Sequence, residues 1–457
     1  MQLNLSTIDY AIIIGYFVIV IFINFSIKKN ESGSKLENYF LAGRKLTLPL
    51  FVASLVSTWY GNLLGVSEIA FKHGLVNWLT QGLCWYLVYF FFAFFLVEKI
   101  HKSHVFSIPD QLERSYDKPT AVLGAFINIF MLSPAIYILS TGLICQMIFG
   151  VDRLTGILMG TLVPLFYTVR GGFRAAVYTD LVQFLFMFIG IIVLIPFAYC
   201  KFGGVDFLVN NLPASHLSLH GEWPWQLILA WFLIALWTLV DPGFYQRTLA
   251  AKDSSTAKRG LLFSIFFWFV FDVLVNLIGL YAFAAMPNID PSLSLPIFAT
   301  SVLPIVFKGI FFTGLIATVM STLDSLSFSS AMAISYDIYR RLKPSATEDE
   351  VIKVHKIALV VSVLLAMAVA MYFESLMNIM YTRGTIAISA LLVPLLACYW
   401  GKQKPSSGAA FWSMVAGLVA AVLGYIFKQS LMLDIEPIFL GLALSLLVFV
   451  LQSKVKQ

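Results

Sequence analysis

Charge is what this chain has least of. Asp, Glu, Lys and Arg make up 12% of its 457 residues, about half the share of an ordinary soluble domain, and that excludes a water-soluble globule. Cysteine is scarce too. Cys84, Cys145, Cys200 and Cys398 fall in or beside apolar runs without CxxC spacing, which excludes a disulfide framework and a zinc site. There is no HExxH, no GxSxG and no phosphate-cradling GxxxxGK[ST], so an intramembrane hydrolase or an ATP-driven pump is not expected, and neither is an enzyme of another kind. The net charge of +6 is spread over short loops and forms no basic stripe, so nucleic acid is not an expected partner.

What is abundant is apolar sequence, 60% of the chain. With about 20 apolar residues needed per helical crossing, the runs predict thirteen spans, near 9–27, 48–71, 76–97, 121–149, 154–169, 180–200, 225–240, 261–286, 305–336, 357–373, 376–400, 409–427 and 435–451. The first run lacks a basic leader and a small-residue cleavage site and reads as a retained span. Counting Lys and Arg on alternate sides gives 24 against five. The rich side includes Lys28, Lys29, Arg44, Arg247, Arg341, Lys402, Lys404 and Lys456, whereas the poor side holds Lys72, Arg153, Lys201, Lys308 and Lys428. The positive-inside rule then puts the N-terminus outside and the C-terminus in the cytoplasm.

Ionisable residues are costly at membrane depth unless they face protein or water. Glu68, Asp180, Asp272, Asp324 and Arg383 nevertheless lie within or at the edge of spans, with Asp241 at the end of one. Each is a functional candidate or a helix-pairing residue. The second run is irregular through 53–65, where Gly61, Asn62 and Gly65 stand among hydroxyls. That stretch is either an interrupted helix whose freed carbonyls bind a cation or a small-residue packing face. In the ninth run Thr318, Ser321, Thr322 and Ser325 recur at i, i+3, i+4 and i+7 beside Asp324, on one face of a helix. Such hard oxygen ligands suit sodium, although hydroxyls also serve as interhelical glue.

Four motifs carry a resemblance. Tyr39-Phe40-Leu41-Ala42-Gly43-Arg44 precedes the second span, and Ser107-Ile108-Pro109-Asp110-Gln111-Leu112-Glu113-Arg114 follows the third. Gly171-Gly172-Phe173-Arg174-Ala175-Ala176-Val177-Tyr178-Thr179-Asp180-Leu181-Val182-Gln183 is the third motif. Gln246-Arg247-Thr248-Leu249-Ala250-Ala251-Lys252, with Ala257-Lys258-Arg259-Gly260 after it, is the fourth. In order and spacing, this set resembles the sodium/solute symporter family over nearly the whole chain.

The resemblance implies an all-α membrane domain spanning 1–457. It would have an extra N-terminal helix at 8–27, a LeuT-type core of two inverted five-helix repeats at 48–400, and two C-terminal helices at 408–452. It implies a sodium held by the carbonyls of Ala53, Val56 and Thr318 and the hydroxyls of Ser321 and Thr322. A second cation site in some members corresponds to Asp180, Asp324 and Ser325. Asp324 departs from the paired hydroxyls found there, and it would strengthen cation binding, accept a proton or pair with a cationic neighbour. Solute contacts correspond to Asn62, Asp241 and Tyr381, with Arg383 nearby. An arginine in the cavity favours a carboxylate, Asp241 favours an amine, and both together suit a zwitterion such as an amino acid.

The expected function is sodium-coupled import of a small polar organic solute by alternating access. The expected setting is a bacterial inner membrane, with the chain acting as a monomer in the bilayer and Na+ as the only ion it needs. Proton coupling on the same fold, through Asp180 and Asp324, is the alternative. So is a membrane solute sensor, for which the tail at 452–457 is too short to hold a signalling domain.

Overall fold

The computed structural model describes residues 3–27, 34–372, 376–400, 406–431 and 435–454. Of the charges used for orientation, Lys28, Lys29, Lys402, Lys404 and Lys456 lie outside the described residues. Helices carry the fold. Among the described residues, pairing of the β type is confined to one isolated bridge, Leu46 with Ala251.

Ten described helices are long and apolar enough to cross a membrane, and Leu48–Trp59 with Leu63–His73 makes an eleventh if that bent pair is one span. The predicted fifth and sixth runs are joined without a loop in the helical stretch Arg153–Phe202, which turns at Gly172. Gly172 has φ 66°, a left-handed conformation that glycine adopts without steric cost. The last run is the short apolar helix Pro437–Ser453.

Two of the breaks among the described helices frame the central cavity. The first bends by 59° between Leu48–Trp59 and Leu63–His73. A β-carbon on Gly61 would lie 2.2 Å from Thr322 Oγ1, so only glycine lets this backbone approach the neighbouring helix so closely. The carbonyl that the break leaves without a helical partner is met from that neighbour, for Thr322 Oγ1 donates to Thr58 O at 2.6 Å.

The second break follows a different rule. The helix beginning at Trp225 tightens over Ala235–Val240, and Asp241 takes an extended conformation before Pro242–Ala250 resumes. A residue before proline is pushed out of the helical region, and Asp241 then caps the new helix, Oδ1 accepting from Phe244 N at 3.0 Å. Sequence reading ended this span at 240. The structure continues it to Ala250 as a discontinuous helix.

The helix Phe307–Met332 runs through the middle of the bundle, buried along nearly its whole length, and packs against Arg153–Phe202 and the first broken helix. Glycines permit the closest crossing: a β-carbon on Gly314 would meet Phe186 O at 2.5 Å, the small-residue contact typical of membrane helices. Outer helices such as Thr7–Ser26 leave Ile14, Val18 and Phe22 exposed, the apolar faces that lipid covers.

Candidate cation site and central cavity

The site begins where the first break meets Phe307–Met332. Ser321 Oγ lies 2.9 Å from Ser57 Oγ and 3.3 Å from Thr58 Oγ1, and it donates to Asp180 Oδ1 at 2.5 Å. The other carboxylate oxygen, Asp180 Oδ2, accepts from Ser54 Oγ at 2.6 Å. One buried carboxylate thus ties both segments together. All five residues expected to hold sodium, Ala53, Val56, Thr318, Ser321 and Thr322, are buried. Ala53 O accepts from Ser57 Oγ at 2.8 Å, Thr318 O is 3.4 Å from Thr322 Oγ1, and Val56 O is met by Trp268 Nε1 at 3.4 Å. The donor set is oxygen throughout, the chemistry that hard cations favour.

Of the three residues expected to form a second cation site, Asp180 and Ser325 meet through Arg247 Nη2, at 3.6 and 3.0 Å, and Asp324 takes other partners. Asp180 belongs with Ser321 and Ser54. Asp324 faces the first half of Arg153–Phe202, where it accepts from the Tyr167 hydroxyl and from Thr168 Oγ1 at 3.0 Å. Ser325 Oγ contacts Thr58 Oγ1 at 3.1 Å and accepts from Arg247 Nη2 at 3.0 Å. The cause is helical geometry: neighbours in sequence point about 100° apart around the axis, so Asp324 and Ser325 reach different partners.

Arg247 is the residue that sequence reading misplaced. Counted there as a loop charge, it is only 1% exposed. Its guanidinium donates to Ser54 Oγ at 2.9 Å and Thr58 Oγ1 at 2.7 Å as well as to Ser325, and Nη2 is 3.6 Å from Asp180 Oδ2. A buried ion pair needs its remaining donors satisfied, and the three hydroxyls do that. The signal was present, since Gln246-Arg247 stands in a quoted motif.

Beside this network, a cavity of about 90 Å³ opens between the two breaks. Asn62, Asp241, Asp272 and Arg247 line it, with Trp59, Trp85, Tyr89, Phe244 and Trp268 as an aromatic wall. Asn62 Nδ2 is 3.3 Å from Met380 Sδ. Asp272 accepts from the hydroxyls of both Tyr60 and Tyr86.

Of the four residues expected at the solute, Asn62 and Asp241 line the cavity, whereas Tyr381 and Arg383 are not in its lining. The Tyr381 hydroxyl donates to Glu436 Oε2 at 2.7 Å. Arg383 Nη1 donates to Met131 O at 3.3 Å and to Ser133 O. These carbonyls close the helix Lys118–Met131 before Pro134, a helix end that has no further amide donors. Glu68 pairs with Lys72 at 2.5 Å one turn on, a partly exposed contact of small energetic weight.

The family model for the sodium:solute symporter family matches residues 39–417. The chain belongs to that family. Membership makes it a multi-pass membrane transporter that couples sodium to the symport of a small solute. It is 26% identical to a sodium/glucose cotransporter of Vibrio parahaemolyticus over 92% of this chain and 84% of that one. It is 24% identical to a sodium/pantothenate symporter of Haemophilus influenzae over 87% and 86% of the two chains. A Na+-coupled sialic acid symporter, solved in a substrate-bound outward-open state, superposes with a TM-score of 0.86 at 17% identity, covering 99% of this chain and 98% of that one. Mhp1, a nucleobase-cation-symport transporter, gives 0.61 at 10% identity over 91% and 95%. Both likenesses show the LeuT-type fold.

Proposed function

We propose that this symporter imports a small polar organic solute by alternating access and binds its coupling sodium between the first broken helix and Phe307–Met332. The observation that carries the reading is the direct contact of these two elements at the break, where Thr322 reaches the Thr58 carbonyl and Ser321 reaches Ser57 and Asp180. Sodium entering from outside takes the carbonyls of Ala53, Val56 and Thr318 and the hydroxyls of Ser321 and Thr322, with the Asp180 carboxylate as nearby counter-charge. Bridging the elements stabilises the outward-open, solute-competent state, and their separation releases the ion inside. Coupling follows only from sodium binding one state more tightly than the other.

The solute occupies the cavity between the breaks, against Asn62 and Asp241. We further propose that the chain is a single membrane domain of one N-terminal helix, an inverted-repeat core at 48–400 and two C-terminal helices, acting as a monomer in a bacterial inner membrane and not as an enzyme. Its N-terminus faces outside. Clustering of Arg44, Arg114 and Arg341 at one end of the bundle, through Arg44 with Val105 O, Arg114 with Ser103 O and Arg341 with Asp110, supports that end as cytoplasmic.

A second reading, proton coupling, draws on Asp324, a buried carboxylate held by Tyr167 and Thr168 without an ion pair among the described residues. Proteoliposomes given a sodium gradient or a proton gradient separately test both. Accumulation under sodium alone supports the first reading, and accumulation under protons alone overturns it.

A further inference from the structure

We propose that the solute carries an N-alkylated ammonium group, held against the aromatic wall of the central cavity with Asp272 and Asp241 as its counter-charges. This rests on the reading of that cavity as the transport site.

The charge balance comes first. The cavity lining holds two carboxylates, Asp241 and Asp272, and one guanidinium, Arg247. Arg247 is balanced from outside the lining, by Asp180 at 3.6 Å. Neither Asp241 nor Asp272 forms an ion pair among the described residues, although both are at most 3% exposed. A buried carboxylate without a counter-ion is costly, and a cationic solute supplies the missing charge. Arg383, which would have favoured a carboxylate solute, turns Nη1 to the carbonyls of Met131 and Ser133 and is not in the cavity lining.

The acceptors come second. Asp272 already receives two tyrosine hydroxyls, and Asp241 receives Trp237 Nε1 at 2.9 Å and Phe244 N at 3.0 Å. Among the lining hydroxyls, Thr58 and Ser325 are engaged by Arg247, Thr322 by Thr58 O, and Ser329 by Gln246, while the amide Gln81 Nε2 is left without a partner among the described residues. A sugar or polyol binds through many such groups, and few remain uncommitted. An alkylated ammonium asks for charge and apolar contact, with little or no hydrogen bonding.

The walls supply that contact. Trp59 stands edge-on to Trp85 at 5.6 Å and to Phe244 at 4.8 Å, and Tyr89 lies 4.4 Å from Trp268. These rings come from both broken helices and two further spans, so they enclose the cavity from several sides. Aromatic enclosures of this kind recognise alkylated ammonium groups through cation–π attraction.

The test uses purified full-length protein and its tryptophan fluorescence, with choline as probe and dimethylbutanol, in which carbon replaces the charged nitrogen, as its uncharged isostere. In sodium, choline gives a saturable response and the isostere binds at least about tenfold more weakly. Asp272→Asn weakens choline binding by about the same factor. Equal affinity for the isostere, no saturable choline response, or binding of myo-inositol instead overturns the assignment of solute class. The comparison with the isostere needs no variant to fold. A choline response identical in sodium and in potassium overturns sodium coupling and leaves the solute class standing, so the two failures are distinguishable.

Discussion

Ser321 and Asp180 share a hydrogen bond of 2.5 Å across 141 residues of sequence, and Ser54 holds the other oxygen of the same carboxylate at 2.6 Å. The acid therefore fixes the position of the hydroxyl that, with Thr322, is proposed to bind sodium. Replacing Ser321 and Thr322 together by alanine is expected to raise the sodium concentration for half-maximal uptake at least tenfold, about 1.4 kcal/mol of lost binding. Uptake into proteoliposomes at graded sodium measures it. An unchanged sodium curve in the double variant removes the site.

Arg247→Met leaves Asp180 buried without its cation. Breaking one side of such a pair costs about 3–5 kcal/mol, so a large fall in the thermal unfolding temperature in detergent is expected. Arg247→Met with Asp180→Asn recovers part of that loss, because no uncompensated charge remains. No recovery in the double variant would mean that the pair is not what stabilises this region.

Gly61→Ala places a methyl group 2.2 Å from Thr322 Oγ1. Overpacking of this kind costs about 1–3 kcal/mol, and here it also pushes the break away from the hydroxyl helix, so sodium-driven uptake falls with stability. Gly15→Ala is the control, since a β-carbon there meets nothing within 4 Å. Parallel measurement of unfolding temperature and uptake for the two variants checks the contrast.

The two broken helices are joined by backbone at the end of the bundle where Arg44 lies. Leu46 N donates to Ala250 O at 2.9 Å and Lys252 N to Leu46 O at 3.1 Å, which joins the entry of the first broken helix to the exit of the second. Arg44 braces this junction through Leu249 O at 3.2 Å and Val105 O at 3.2 Å. Arg44→Ala is expected to loosen this junction, raising the alkylation rate of Ser329→Cys in a background lacking the native cysteines. A rate unaffected by the substitution would show that Arg44 does not hold the junction together.

Tyr381→Phe tests the position of a residue that the family resemblance assigned to the solute. Its hydroxyl bonds Glu436, which Lys428 also holds at 2.6 Å. Loss of that bond costs about 1 kcal/mol of stability. The solute half-saturation constant is expected to stay unchanged in uptake assays, and a rise in it would place Tyr381 at the solute.

The two breaks were unequally legible. Gly61, Asn62 and Gly65 marked the first because glycine and amide residues are out of place in a plain span, whereas Asp241-Pro242 read as a helix end since the apolar run stops there. The hydroxyl stripe of Thr318, Ser321, Thr322 and Ser325 was visible in its spacing. Its neighbour Asp324 was grouped with Asp180 and Ser325 through the family resemblance, and rotation about the helix axis turns Asp324 away from Ser325 toward Tyr167 and Thr168. Arg247 was hidden by its place beside loop charges, and only its burial distinguishes it from them.

The sequence by itself determined that this is a helical membrane protein, where its apolar segments lie, and that one of them is irregular in composition, because hydropathy and helical period are properties of adjacent residues. Tertiary structure alone decided that Arg247 enters the core beside Asp180, that Arg383 turns to the carbonyls of a helix end, and that Asp272 reaches the cavity between two tyrosines. Those outcomes depend on which faces of distant helices meet, as with Ser54 and Asp180 at a separation of 126 residues, and a buried charge takes whichever partner that packing brings within reach.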